Sequence, residues 1–163
     1  MKFFTGILVL TLAFDLSAQD KVVGQYRDYF GSQIDIKGDK SFKYTFSFDM
    51  SGSWTKGIWT MSGDTVELQM IPTYDTLSQP NLTGIASDSL VLSGDEKAER
   101  ITQAEFIATI LSSGGQNRMK YPDKLLFRKG RLYTIRNGKL ETGKQIGIWT
   151  NKKYNPWFFK EDQ

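Results

Sequence analysis

The sequence predicts an all-β protein, an antiparallel meander that closes into a barrel or packs as a β-sandwich, with one short α-helix. Three observations carry that prediction. Residues 41–50 alternate aromatic and polar side chains without a break, so Phe42, Tyr44, Phe46, Phe48 and Met50 share one strand face while Lys43, Thr45, Ser47 and Asp49 share the other. Similar short runs recur along the chain, separated by Gly, Asp and Asn turn residues. Only one segment combines helical spacing with a recognisable cap. Four aromatics on one strand face bury ~150–250 Å² each when covered, so the strand at 41–50 requires a second layer or a closed barrel opposite it.

The N-terminus reads separately. Lys2 precedes an apolar run over residues 3–14, and Leu16-Ser17-Ala18 precedes the polar Gln19-Asp20, which predicts a secretory signal peptide over residues 1–18. The apolar run ends at Asp15, well short of the ~20 residues that span a bilayer. Removing 18 residues from 163 leaves 145, enough for one domain over residues 19–163. With no Cys there are no disulfides and no lipidated N-terminal cysteine, so stability must come from packing. With no His and no Cys, Ser-His-Asp and Cys-His triads and an ordinary zinc site are excluded. The expectation is an exported periplasmic or extracellular module with no metal, no cofactor, no nucleic-acid partner and no membrane span after cleavage.

Along the domain, residues 22–26 lead into a strand at 32–37, and Gly38-Asp39-Lys40 turns the chain into the aromatic strand as a hairpin. A turn at Ser51-Gly52-Ser53 precedes a third strand at 54–61, where Gly57 predicts a bulge or a close backbone approach. Ser62-Gly63-Asp64 turns into a fourth strand at 65–70, and further strands follow at 74–77 and 89–92. Between those two, Asn81-Leu82-Thr83 matches a glycosylation sequon. Thr102 and Glu105 have capping-box spacing and open a helix from Gln103 to about Ser112, with Ala104, Ile107, Ala108 and Leu111 as its apolar stripe and Gly114-Gly115 as its stop. A polar loop at 116–123 leads to strands at 124–128, 131–136, 146–150 and 157–159, with Lys129-Gly130 and Asn137-Gly138 as turns. Gly57-Ile58-Trp59-Thr60 recurs as Gly147-Ile148-Trp149-Thr150, which reads either as two similar barrel strands or as a chance recurrence.

The succession Gly24-Gln25-Tyr26, Asp39-Lys40-Ser41-Phe42-Lys43-Tyr44, Gly57-Ile58-Trp59 and Gly63-Asp64-Thr65-Val66-Glu67-Leu68 resembles the small exported lipocalin-like proteins of Gram-negative bacteria. The match covers residues 24 to 70. The resemblance implies a lipocalin-like β-barrel; most such proteins have no assigned function, so it implies no activity.

Three constellations are candidates for function. Phe42, Tyr44, Phe46, Phe48 and Trp59 would line a barrel interior, which either fills as a core or holds one small apolar ligand. Residues 118–153 hold 11 Lys/Arg against 2 Asp/Glu, a net of +9, so Arg128, Arg131 and Arg136 with the neighbouring lysines could face an anionic glycan or lipid headgroup, or simply solvate strand faces. Asp35, Asp39, Asp49, Asp64 and Glu67 lie close in sequence and could supply a carboxylate pair for glycoside hydrolysis, although turns and polar strand faces explain them as well. The leading expectation is a non-enzymatic binding or envelope-associated module. Its mature N-terminus is Gln19, and N-terminal sequencing that returns Met1 from exported protein would contradict the leader.

Overall fold

The computed structural model describes residues 19–80 and 86–161; the expected leader at 1–18 and the Asn81-Leu82-Thr83 sequon lie outside the described residues. The chain forms strands β1 (Gly24–Arg27), β2 (Ser32–Ile36), β3 (Ser41–Phe48), β4 (Ser51–Ser62), β5 (Thr65–Met70), β6 (Tyr74–Pro80), β7 (Ala86–Leu92) and β8 (Arg100–Ile101). Helix α1 (Gln103–Leu111) follows. Then come β9 (Gly114–Gln116), β10 (Lys124–Arg128), β11 (Arg131–Arg136), β12 (Lys139–Leu140), β13 (Gln145–Ile146), β14 (Lys153–Tyr154) and β15 (Phe158–Lys160). Eight of these, β1 to β5 with β10, β11 and β15, close an antiparallel barrel in which every strand pairs with its neighbours in chain order and β15 pairs back onto β1. This is up-and-down connectivity, which leaves no free barrel edge.

Residue size explains how the interior fits. β2 pairs with β3 through Ile34↔Tyr44 and Ile36↔Phe42, and β3 pairs with β4 through Phe42↔Gly57, Tyr44↔Thr55 and Phe46↔Ser53. Each large inward aromatic of β3 therefore faces a small residue of β4. Gly57 is the tightest point, since a Cβ there would stand 2.0 Å from the Gln69 carbonyl oxygen. The close backbone approach expected at this glycine is what forbids a side chain. Val22, Tyr26, Ile34, Ile36, Phe42, Trp59, Val66, Leu68, Leu125, Leu132 and Phe158 are buried in one cluster with Tyr44.

The hairpin turns follow their sequence signals. Lys129-Gly130 joins β10 to β11 with φ of 52° and 72°, and Asn137-Gly138 joins β11 to β12 with φ of 51° and 72°, the left-handed pairs that match strand twist. The aromatic strand is shorter than its pattern. β3 ends at Phe48, paired with Ser51, so the turn is Asp49-Met50 and not Ser51-Gly52-Ser53; Asp49 takes φ 52°, and Met50, expected on the inner face, is exposed.

Outside the barrel, β6, β7 and β8 form a small sheet beside α1. Its return loop is tied to the outer wall by the Trp54 indole donating to the Gly94 carbonyl at 3.3 Å and by Lys56 donating to the Glu96 carbonyl at 2.8 Å, with Lys43 paired to the Glu96 carboxylate. α1 carries the expected capping box: Thr102 Oγ1 accepts from the Glu105 backbone, and Glu105 accepts from the Thr102 backbone. Its expected stripe is not the buried one. Phe106 and Thr109 are half-buried, the latter against Gly94, while Ala104, Ile107, Ala108 and Leu111 are exposed. The two Gly-Ile-Trp-Thr copies also differ: the first lies in β4 with Trp59 1% exposed, whereas Gly147-Ile148-Trp149-Thr150 forms the loop between β13 and β14 with Trp149 82% exposed.

One inward hydroxyl is unmatched. Thr55 is fully buried and its Oγ1 has no hydrogen-bond partner among the described residues. A buried unsatisfied hydroxyl costs about 1–3 kcal/mol. Thr55→Val therefore raises Tm, by about 2–4 °C per kcal/mol for a domain near this size. A lowered Tm on thermal unfolding would mean that the hydroxyl is satisfied in the folded protein.

Candidate functional site

The two ends of the barrel are built differently. At one end lie the turns at residues 37–40, 63–64 and 129–130, and Trp59 seals it. The Trp59 indole donates to the Lys37 carbonyl at 2.8 Å, and the Lys40 ammonium sits 4.1 Å above its ring. Residues 19–22 pack here as well. Val22 is fully buried and its carbonyl accepts from Tyr26 Oη at 2.7 Å, while burial pushes the Tyr26 phenol up to about 12.

The opposite end holds a cavity of about 920 Å³. Its deepest lining residues are Ser32, Tyr44, Phe46, Thr134 and Phe158; Asp28 and Tyr121 flank them, and Lys120, Arg136 and Gln145 stand exposed at the rim. Aromatic rings and hydroxyls thus alternate around one space.

Asp28 is placed by the turn from β1 into β2. Its Oδ1 accepts from the Phe30 and Ser32 backbone N–H groups, each at 2.8 Å, and its own N–H donates to the Ser32 carbonyl at 3.0 Å. Gly31 makes the turn possible, with φ 92° and space for no Cβ, since that atom would lie 2.3 Å from the Ser47 carbonyl oxygen. The Gly31 carbonyl accepts from Ser47 N–H at 2.9 Å, which locks the turn to β3. Tyr44 Oη donates to Ser32 Oγ at 3.2 Å. Burial raises the pKa of Asp28, and the hydrogen bonds from Ser32 and Phe30 only partly offset it. Burial also raises Tyr44, opposed by the Ser32 hydrogen bond and reinforced by the Asp28 charge.

The other wall is a strap. Residues 116–123 cross the end of β4 and β5: Asn117 N–H donates to the Trp54 carbonyl at 2.7 Å, Met119 N–H donates to Ser53 Oγ at 2.8 Å, and Tyr121 Oη accepts from Met70 N–H at 3.2 Å. The Gln116 side chain both accepts from Thr73 N–H and donates to the Thr73 carbonyl. The Tyr121 ring lies 5.9 Å from Phe42, so it stands between the cavity and the filled core.

The expected interior residues divide between these zones. Tyr44 and Phe46 line the cavity, and Phe42 and Trp59 belong to the filled core. Phe48 lines neither and stacks on Trp149 at 5.5 Å. The three arginines are not brought together. Arg128 and Arg131 pair across the hairpin at the sealed end, Arg131 lying over Trp157, while Arg136 stands five residues farther along β11, about 17 Å away. Arg136 is held by Glu141 at 2.9 Å. Nor do the five carboxylates share a site. Asp39 and Asp64 sit in turns at the sealed end, Asp49 in a turn at the open end, and Asp35 and Glu67 point outward, near Lys37 and paired with Lys124 respectively. Asp28, Ser32, Tyr121, Thr134 and Phe158 were not candidates from sequence; the only local signal at Asp28 was an acidic residue three positions before a glycine.

A second cavity of about 590 Å³ lies between the small sheet and α1, and three of its four lining carboxylates, all but Glu99, are engaged in local structure. Asp75 accepts from Glu99 N–H, Asp95 from Lys97 N–H, and Glu105 caps the helix. No helix among the described residues is long and apolar enough to cross a membrane.

The raised pKa of Asp28 has a definite sign. The folded state binds its proton more tightly than the unfolded chain does, so this group's contribution to stability is higher below the carboxylate range and falls as pH rises through it. Asp28→Asn keeps the Oδ1 acceptor and removes the charge, so the variant is at least as stable as the parent at pH 7, and the difference closes as pH falls below the carboxylate range. Urea midpoints across pH check this. An Asn variant weaker than the parent at pH 7 would show that the charge is stabilised in place.

Comparison of the chain with protein-family models, with curated proteins and with solved structures finds no match.

Proposed function

We propose that this protein is an exported, non-enzymatic binding module of the lipocalin-like kind that holds one small amphipathic molecule in the open end of its barrel. The observation that carries the reading is the cavity of about 920 Å³ in which Phe46 and Phe158 stand beside the hydroxyls of Ser32, Tyr44 and Thr134. Its volume lies in the range of sites for ligands of drug size. A pure hydrocarbon would fill the space but leave the Thr134 hydroxyl and Asp28 Oδ2 without partners among the described residues, at about 1–3 kcal/mol each, which favours a ligand with polar atoms of its own. The wall provides hydroxyls and the desolvated carboxyl of Asp28, with Asp123, Lys120, Lys124 and the Arg136–Glu141 pair toward the rim. The chain has no His or Cys to serve as a nucleophile or base, and the carboxylates near one another in sequence do not converge, which favours binding over hydrolysis.

An amphipathic fluorescent probe, anilinonaphthalene sulfonate, tests this at about one per protein. Thr134→Phe fills the cavity from β11 and abolishes probe binding while the protein stays folded. Phe42→Ala, in the filled core, costs about 3–5 kcal/mol. Phe46→Ala, half-covered at the cavity, costs clearly less and changes probe affinity instead. A parent that binds no probe, with Phe46→Ala as damaging as Phe42→Ala, would mean that the barrel is filled throughout.

A further inference from the structure

An apolar lip that the barrel does not need for its own packing stands at the hollow end, with Met50 bordering the smaller cavity beside α1 and the base of the β13–β14 hairpin bordering the larger one. Met50, at the tip of the turn between β3 and β4, is 83% exposed, and Trp149, in the loop between β13 and β14, is 82% exposed. Ile146 and Ile148, on the same hairpin, are 62% and 47% exposed. Stacking of Phe48 on Trp149 holds the turn and the hairpin together, and Tyr29 packs against Tyr154 at 4.8 Å to fix the hairpin base. The hairpin also reaches the cavity, because Gln145 lines it. Its charge is of one sign: residues 142–154 hold Lys144, Lys152 and Lys153 and no Asp or Glu. Among the described residues none of these three lysines lies within ion-pair distance of a carboxylate.

We infer that this lip docks on the surface of an anionic lipid bilayer, setting the cavity mouth against the membrane. A projecting tip of Trp, Ile and Met inserts at the headgroup boundary, where the indole keeps its N–H hydrated and its ring in apolar surroundings. The lysines around it stand at headgroup level, where each cation near an anionic surface strengthens binding about fivefold. Charge complementarity selects the anionic bilayer, since the hairpin that carries Ile146, Ile148 and Trp149 holds three lysines and no carboxylate, while the carboxylates near Met50, beyond Asp49, line the smaller cavity beside α1. The docking itself stands apart from the cavity reading; that the docked mouth exchanges an amphipathic molecule with the bilayer rests on it.

Cosedimentation of the exported protein with phosphatidylcholine vesicles containing phosphatidylglycerol tests the inference. The parent binds these vesicles, binds phosphatidylcholine alone far more weakly, and loses affinity as salt rises. Replacing Lys144, Lys152 and Lys153 by Gln lowers affinity roughly a hundredfold. Met50→Ser with Trp149→Ser lowers it at least tenfold while far-UV circular dichroism stays at the parent's and Tm falls only by the few degrees that the lost Phe48–Trp149 stack contributes. Thr134→Phe, inside the barrel, leaves vesicle binding unchanged, so failure of the cavity reading and failure of the lip are read separately. Equal binding by the parent and the Met50→Ser, Trp149→Ser variant would overturn the inference. So would a parent dimer in solution that this variant abolishes, which would assign the lip to a second copy of the chain.

Discussion

The size match between β3 and β4 is the constraint on which the rest of the barrel depends. Phe42 faces Gly57, Tyr44 faces Thr55 and Phe46 faces Ser53, so a row of rings on one strand occupies space that a row of small residues leaves free on the next. Interiors pack at crystal-like density, and two facing rows of rings would have forced this sheet open. Because Gly57 admits no side chain against the Gln69 carbonyl, β5 can follow β4 closely enough to bring Val66 and Leu68 into the same core. Closure by β15 onto β1 then encloses Tyr26, Leu132 and Phe158 without leaving an edge.

The same constraint explains why only one end is hollow. Toward the sealed end the inward residues are large and purely apolar, from Ile36 and Phe42 to Trp59, and they meet across the barrel. Toward the other end Ser32, Ser53, Thr55 and Thr134, which are shorter and carry hydroxyls, stand between the remaining rings of Tyr44, Phe46 and Phe158. Such side chains cannot fill an eight-stranded interior, which is just wide enough for large side chains to meet. The strap at 116–123 and the Asp28 turn then wall the space that is left, both held by backbone hydrogen bonds to the barrel strands.

Much of the architecture was legible in the sequence. The alternation over 41–48, the Lys129-Gly130 and Asn137-Gly138 turns, and the Thr102–Glu105 cap each correspond to an element, because each is a local rule that tertiary contacts did not override. The site was not legible in the same way. In β11 both faces carry apolar residues, Leu132 inward and Tyr133 and Ile135 outward, so nothing local marks Thr134 as a cavity residue. Its partners come from the turn between β1 and β2, from β2, β3 and β15, and from a strap whose polar sequence reads as an ordinary loop. Charge counting likewise found a basic third but not its geometry, since alternation and turns send Arg128 and Arg131 to one end and Arg136 to the other. The second Gly-Ile-Trp-Thr misled because periodicity cannot distinguish a strand from a loop whose Trp149 is held by stacking on Phe48.

A barrel sealed at one end and hollow at the other makes a spatial claim that a residue-resolved titration tests directly. Backbone amide shifts recorded during addition of anilinonaphthalene sulfonate should move at Ser32, Tyr44, Thr134 and Phe158, and stay still at Val66, Leu68 and Leu132 in the filled half. Shifts centred on that filled half, or spread evenly over the whole barrel, would contradict the account.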